Sequence, residues 1–266
     1  MSEPETETRE KRRITWSMSR QRLIELAVVV FGVLIALALD SLAEEIRLRG
    51  DARELEKGFQ EDIGQAVQQS WERQLINPCL KQTLASLARQ ATDPDGQWEA
   101  APTFTTSNLP FALPPPYRAP VRIWTTASFD RALGTEAFKR IPFERADAYA
   151  VLFAQIEARR DDNAAEYLAV SRLAPLAVPQ TGVDVEVRAE LLQALSQLDR
   201  HRGLAFVSSE QIIAQALSIP GVDRLASELL NHRVQMGRMG EQARLGYGDC
   251  VDLGATDRLL DLAAAS

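Results

Sequence analysis

The chain has little of what builds a metal or redox centre. Its 266 residues include two cysteines and two histidines. No CxxC pair and no Glu-x-x-His occurs, so zinc ligation and a ferritin-like di-metal site lack their usual ligand spacings. No GxGxxG, P-loop or GxSxG stretch is present, which removes the common phosphate cradles and the nucleophile elbow. Aromatic residues are 6% of the chain, and no segment alternates for long like a half-buried strand. Net charge is −7 and no basic stripe follows residue 44, so nucleic acid is not an expected partner. No catalytic residue, cofactor or metal is assigned, and the chain reads as a binding protein rather than an enzyme.

What the chain does have is one long apolar run. Leu26–Leu39 carries no charged or polar side chain over 14 residues. At 1.5 Å per residue that covers roughly 21 Å, short of a hydrocarbon core of about 30 Å. Extension to Leu23 and Ala43 gives roughly 31 Å. Glu25 and Asp40 then fall near the interfaces, where ionisable groups cost far less than at the midplane. Residues 23–43 are therefore expected to be a transmembrane helix, with Leu26, Val30, Phe31, Gly32, Leu34, Ala36 and Leu39 facing lipid or a partner span. Gly32 and Ala36 form a small-xxx-small pair that would let two such helices pack closely.

Orientation follows from the flanking basic residues. Residues 11–22 hold five Lys or Arg and no carboxylate; residues 40–57 hold four against six carboxylates. The expected topology keeps residues 1–22 in the cytoplasm as a disordered, basic tail and places the rest outside. The same basic-then-apolar order also fits a signal peptide, with Ser41-Leu42-Ala43 as a small-x-small cleavage site. Whether residues 1–43 are retained or cleaved stays open. A buried core helix would also accept 14 apolar residues, but it gives the basic cluster no role.

An oxidising compartment would favour a Cys79–Cys250 disulfide. The alternative is two unrelated buried thiols.

Beyond Ala43 the pattern is helical. Leu42, Ile46, Leu55, Phe59, Ile63 and Ala66 recur at helical spacing. Asn77-Pro78 is expected to end this helix, because the residue before proline avoids helical angles; Pro78 then opens a second helix to about 91. Seven prolines across 92–120 exclude a long helix there. The interleaved Trp98, Phe104, Phe111 and Tyr117 indicate an ordered loop draped on a bundle. Gly134 is expected to stop a short helix around Ala132. Pro142 opens a long helix striped by Phe143, Tyr149, Leu152, Phe153, Ile156 and Leu168. Asp184 caps another over 184–218, and Pro220-Gly221 breaks the chain before a last long helix through Met239. Residues 256–266 read as a C-terminal tail with a short helix. The expected fold is all-α: a transmembrane helix continuous with an antiparallel bundle of four to five main helices over 44–255.

Few polar clusters stand out. Glu228 and His232 are spaced to share a helix face, without further metal ligands. Asp161 and Asp162 point in different directions on a helix and read as surface charge. His201, within Asp199-Arg200-His201-Arg202, reads as a solvated face.

The run VVVFGVLIALALDSLAEE, the stretch LEKGFQED at Leu55–Asp62, and the segment from Trp124 through Ala132-Leu133-Gly134 to Tyr149 together resemble a group of bacterial single-span membrane proteins. Their soluble part is a helical domain of unknown function. The resemblance implies an inner-membrane anchor and a periplasmic helical domain, and carries over no catalytic residue. The partners expected are the bilayer itself and a second copy or another membrane-complex subunit. A ligand-sensing domain that relays through a partner, or an enzyme whose site is scattered in sequence, are the competing readings.

Overall fold

The computed structural model describes residues 5–93, 117–120, 122–177, 184–220 and 223–265. Most of the proline-rich segment, including Trp98, Phe104 and Phe111, lies outside them. Among the described residues there are seven α-helices and no strand. The chain divides into two units, Met1–Arg53 and Glu54–Ser266.

Helix α1 (Glu5–Thr92) contributes to both units. In the first unit its apolar stretch is long and apolar enough to cross a membrane, and none of it is buried. Arg47 pairs with Glu44 at 2.6 Å, and Arg49 with Glu45 at 2.9 Å, just past that stretch. The tail expected to be disordered is helical from Glu5. Residues 5–22 contain no Gly or Pro and many Glu, Arg, Lys and Gln, residues that lose little side-chain freedom in a helix.

In the second unit α1 does not stop at Asn77-Pro78, contrary to the sequence expectation. Pro78 lies inside the helix. An interior proline costs about 3 kcal/mol through its missing donor and its ring. Tertiary contacts on both sides offset this: Leu75, Ile76, Cys79 and Leu80 are all buried. The Leu75 carbonyl, one turn before Pro78, accepts the Asp252 N–H at 2.8 Å.

The remaining elements are α2 (Ala127–Ala132), α3 (Phe143–Ser171), α4 (Val185–Ser218), α5 (Asp223–Asn231), α6 (Arg233–Tyr247) and α7 (Gly254–Ala265). Leu133 is the C-cap of α2, and Gly134 follows at φ +83, a conformation that favours glycine. Asp184 caps α4 through its side chain, which accepts the Glu186 N–H. The long helix expected after Pro220 is two helices, α5 and α6, separated at His232. The expected C-terminal tail is α7, with Ala255, Leu259, Leu260 and Ala263 buried.

Paired residues fix the helix directions. Along α1, Glu56 meets Arg145, Phe59 meets Tyr149, and Arg73 meets Glu166. Helices α1 and α3 therefore run in the same sense. Helix α4 is antiparallel to both: Asn77 meets Arg202 and the Ala91 carbonyl meets Arg188, while Arg172 of the α3 C-cap meets Gln197. The chain returns along α1 through residues 122–126, where Gln69 donates to the Ile123 carbonyl and Glu72 pairs with Arg122.

One end of the core is aromatic. Phe59 makes edge contacts to Phe129, Phe138, Tyr149 and Phe153, and Phe129 stacks on Phe153 at 4.7 Å. Phe143 and Leu168, expected on the buried stripe of α3, are instead 82% and 67% exposed. Phe143 is the first residue of its helix. Leu168 lies off the face that carries Ile156, Arg159 and Glu166 inward.

Candidate functional site

Three helices and the described residues between α1 and α2 bring six charged or polar groups into one network, buried at Glu166 and part-buried at Asp162 and His201. Helix α3 supplies Arg159, Asp162 and Glu166, spaced by three and four so that they line one side of the helix. Helix α1 supplies Arg73, α4 supplies His201, and the segments 117–120 and 122–126 supply Tyr117 and the Trp124 ring.

Glu166 is the hub. It is 1% exposed. Arg73 Nη2 donates to both of its oxygens, at 2.7 and 2.6 Å. The Tyr117 hydroxyl donates to Oε1 at 3.0 Å. Arg159 Nη2 lies 3.6 Å from Oε2. The Arg159 guanidinium also sits 5.5 Å from the Trp124 ring centroid, within range of a cation–π attraction. Its Nη1 donates to Asp162 Oδ2 at 2.8 Å.

Asp162 passes the chain of contacts to α4. Its Oδ1 is 2.6 Å from His201 Nδ1. A carboxylate only accepts, so Nδ1 carries the proton and Nε2 is the ring atom left for other contacts. The reading of Asp162 and His201 as separate surface charges is thus corrected: they are part-buried and paired. Asp161, by contrast, is an exposed charge paired with Arg160.

Burial shapes the protonation of this network. Desolvation pushes the Tyr117 hydroxyl well above its ordinary value, and the Glu166 charge pushes it the same way. Desolvation, followed by the like charge of Arg73, lowers the Arg159 guanidinium. Three buried donors of the network's arginines, Arg73 Nη1 and Arg159 Nε and Nη2, make no hydrogen bond. Neither does Trp124 Nε1.

Among the described residues, two clefts bear on this network and on the His232 region. The first, of about 310 Å³, lies between α3 and α4, beside the His201 end of the network. Its lining is Ala165, Leu168, Ala169, Arg172, Gln197, Arg200 and His201. The second, of about 280 Å³, includes Trp71, Leu229, His232, Met236 and Met239. Glu228 and His232 do share that cleft, but the His232 Nδ1–H is spent on the Glu228 backbone carbonyl at 2.7 Å. Among the described residues no three His, Cys, Asp or Glu side chains gather in a way that could hold a metal ion.

The disulfide expected from the sequence is formed. Cys79 and Cys250 are bonded, with Cα atoms 5.0 Å apart across 171 residues of chain. It ties α1 to the segment between α6 and α7. The anchor positions Leu26, Val30, Phe31, Gly32, Leu34, Ala36 and Leu39 are all exposed.

Sequence reasoning missed the network because its pairs are far apart: Arg73 and Glu166 are separated by 93 positions. A signal was nonetheless present. Arg159 and Glu166 occupy positions where the Tyr149–Leu152–Ile156 stripe should continue, and Arg73 lies two heptads after Phe59. Opposite charges at core positions of two helices are a pairing signal. Comparisons with protein-family models, with curated proteins and with solved structures found no match.

Proposed function

We propose that the chain is a single-span protein of a bacterial inner membrane, with residues 1–22 in the cytoplasm and the helical unit outside it. That unit acts by binding, as a scaffold or accessory subunit. The observation that carries the membrane placement is the exposed apolar surface of α1. Thirteen large apolar side chains between Leu23 and Leu42 are each 47–66% exposed. At about 1.5–3 kcal/mol for burying a whole side chain, and with about half of each exposed, leaving them in water forfeits roughly 10–20 kcal/mol. A bilayer removes that cost, and the length matches one hydrocarbon core.

The orientation rests on the density of Lys and Arg before the span. The Cys79–Cys250 disulfide favours an oxidising compartment for the second unit. The resemblance to single-span bacterial proteins points the same way. The binding role rests on the unit's architecture, a tied helical body with open clefts among its described residues.

Membrane fractionation tests the placement. The chain should stay with membranes through an alkaline carbonate wash. An impermeant protease added to spheroplasts should remove residues beyond the span. Release by carbonate would sink the span; protection of the C-terminal unit would reverse the orientation. In-membrane cross-linking with mass spectrometry tests the role: a reproducible neighbour or a second copy is expected, and its absence counts against a scaffold.

A further inference from the structure

We infer that the cleft between α3 and α4 binds a small organic anion, its carboxylate or phosphate group held by Arg172 and Arg200. The inference concerns the unit 54–266 alone and stands whether or not residues 23–43 span a bilayer.

The charge of the lining is one-sided. Two guanidinium groups and one imidazole face a cleft whose lining has no carboxylate. Neither arginine is neutralised. Arg172 Nη1 donates to the neutral Gln197 Oε1 at 3.0 Å, which holds the side chain across the α3–α4 gap. Arg200 makes no hydrogen bond or ion pair with any described residue. Neighbouring arginines behave differently. Arg202 is occupied by Asp199 and Asn77, each at 2.8 Å, and Arg160 by Glu157 and Asp161. Among the described residues, Arg172 and Arg200 are thus the two guanidinium groups of this face without a counter-charge. Planar guanidinium forks match carboxylate and phosphate oxygens in pairs.

The nearest acidic group, Asp162, does not spoil the site. Its oxygens are already engaged by Arg159 and His201, so its field at the cleft is largely cancelled. The same bond fixes the His201 ring with Nδ1 turned to Asp162 and leaves the Nε2 edge. Ala165, Ala169 and the exposed Leu168 supply an apolar wall, which calls for an organic body behind the anionic head. About 310 Å³ is at the lower end of small-ligand pockets, so the ligand is small.

The test uses the full chain in detergent micelles, titrated calorimetrically with benzoate, phenyl phosphate, inorganic phosphate and the neutral analogue benzamide. Benzoate or phenyl phosphate should saturate one site, and benzamide should bind at least about tenfold more weakly, as loss of charge-assisted hydrogen bonds requires. Preference for benzoate or for phenyl phosphate assigns the head group; inorganic phosphate alone should bind more weakly than phenyl phosphate. The double substitution Arg172→Gln with Arg200→Gln should weaken anion binding by about tenfold or more, with an unchanged melting temperature. Leu168→Glu, which places a carboxylate one helical turn before Arg172, should do the same by giving that arginine an internal counter-charge. Arg160→Gln should have no effect. Equal binding of benzamide and benzoate, undiminished binding by the double variant, or no saturation by either organic anion would overturn the inference.

Discussion

Replacing Glu166 by alanine should destabilise the helical unit more than any surface charge change. The carboxylate accepts two bonds from Arg73 and one from Tyr117, and balances Arg159 at 3.6 Å. All of these partners are buried. Without Glu166, Arg73 is left with no acceptor for either terminal nitrogen, because its Nη1 already has none. Arg159 keeps only Asp162. Removing one partner of a buried ion pair costs about 3–5 kcal/mol, and an unsatisfied buried hydroxyl about 1–3. Partial relaxation offsets some of this, leaving about 4–6 kcal/mol. In a unit of this size each kcal/mol moves the melting temperature by about 2–4 °C, so a fall of roughly 10–20 °C is expected. The control is Glu157→Ala. Glu157 pairs with Arg160 at the same 2.8 Å reach as good internal pairs, but both side chains are about half exposed, so the change should stay within about 1 kcal/mol. Thermal melts of the full chain in micelles, followed by circular dichroism, measure both. Equal effects of the two substitutions would refute the claim that burial decides the cost.

The other predictions concern the disulfide, the tyrosines and the span. Closing a loop of 171 residues limits the unfolded chain by about 5 kcal/mol in the chain-entropy model. Reduction, or Cys79→Ser with Cys250→Ser, should therefore lower the melting temperature by roughly 10–20 °C; matching melts of the oxidised and reduced chain would dismiss the tether. Desolvation holds Tyr149 up to about 12 and raises Tyr117 and Tyr247 as well. Above pH of about 10 the unfolded chain loses these protons while the folded chain keeps them. Stability should be intact below that pH and fall as pH rises through it, and tyrosinate absorbance should jump on unfolding; a flat alkaline profile would count against this burial. Leu34→Lys places a charge at the middle of the apolar run at about 2.5–3.5 kcal/mol on an insertion scale, so less protein should remain in carbonate-washed membranes. An unchanged yield would remove the span.

Local chemistry made some of these elements readable in advance. Asp184 announces its helix because a short carboxylate at that position can accept a first-turn N–H, and α4 begins there. Gly134 follows the end of α2 because a left-handed residue closes it. Two cysteines leave only one intramolecular pairing. Where the outcome depended on tertiary contacts, local rules misled. Pro78 should end a helix, yet α1 passes through it because buried residues flank it and Asp252 takes up a neighbouring carbonyl. The α5–α6 separation at His232 has no glycine or proline to announce it. Asp162 and His201 looked like solvated charge because nothing local says that α3 and α4 would bring them together.

The buried charges bear on how the helices are set against each other. Leucine stripes alone tolerate a slip of one helical turn, about 5.4 Å, since one apolar side chain replaces another. Arg73 and Glu166 do not: a slip of that size leaves both buried and unpaired, at a cost of several kcal/mol. The pair thus selects one register between α1 and α3, and Asp162–His201 does the same between α3 and α4. The α3–α4 register matters for the proposed anion site, because Arg172 and Arg200 line one cleft in the observed alignment. Replacing Arg73 and Glu166 together by leucine separates the two roles. Stability should fall by less than with Glu166→Ala, because no unpaired Arg73 charge stays buried, although Tyr117 and Arg159 still lose their Glu166 partner. Benzoate affinity should nevertheless fall, although neither residue lines the cleft, because alternative registers become populated. Unaltered affinity together with retained stability would mean that packing alone fixes the register, and that the charges are dispensable to it.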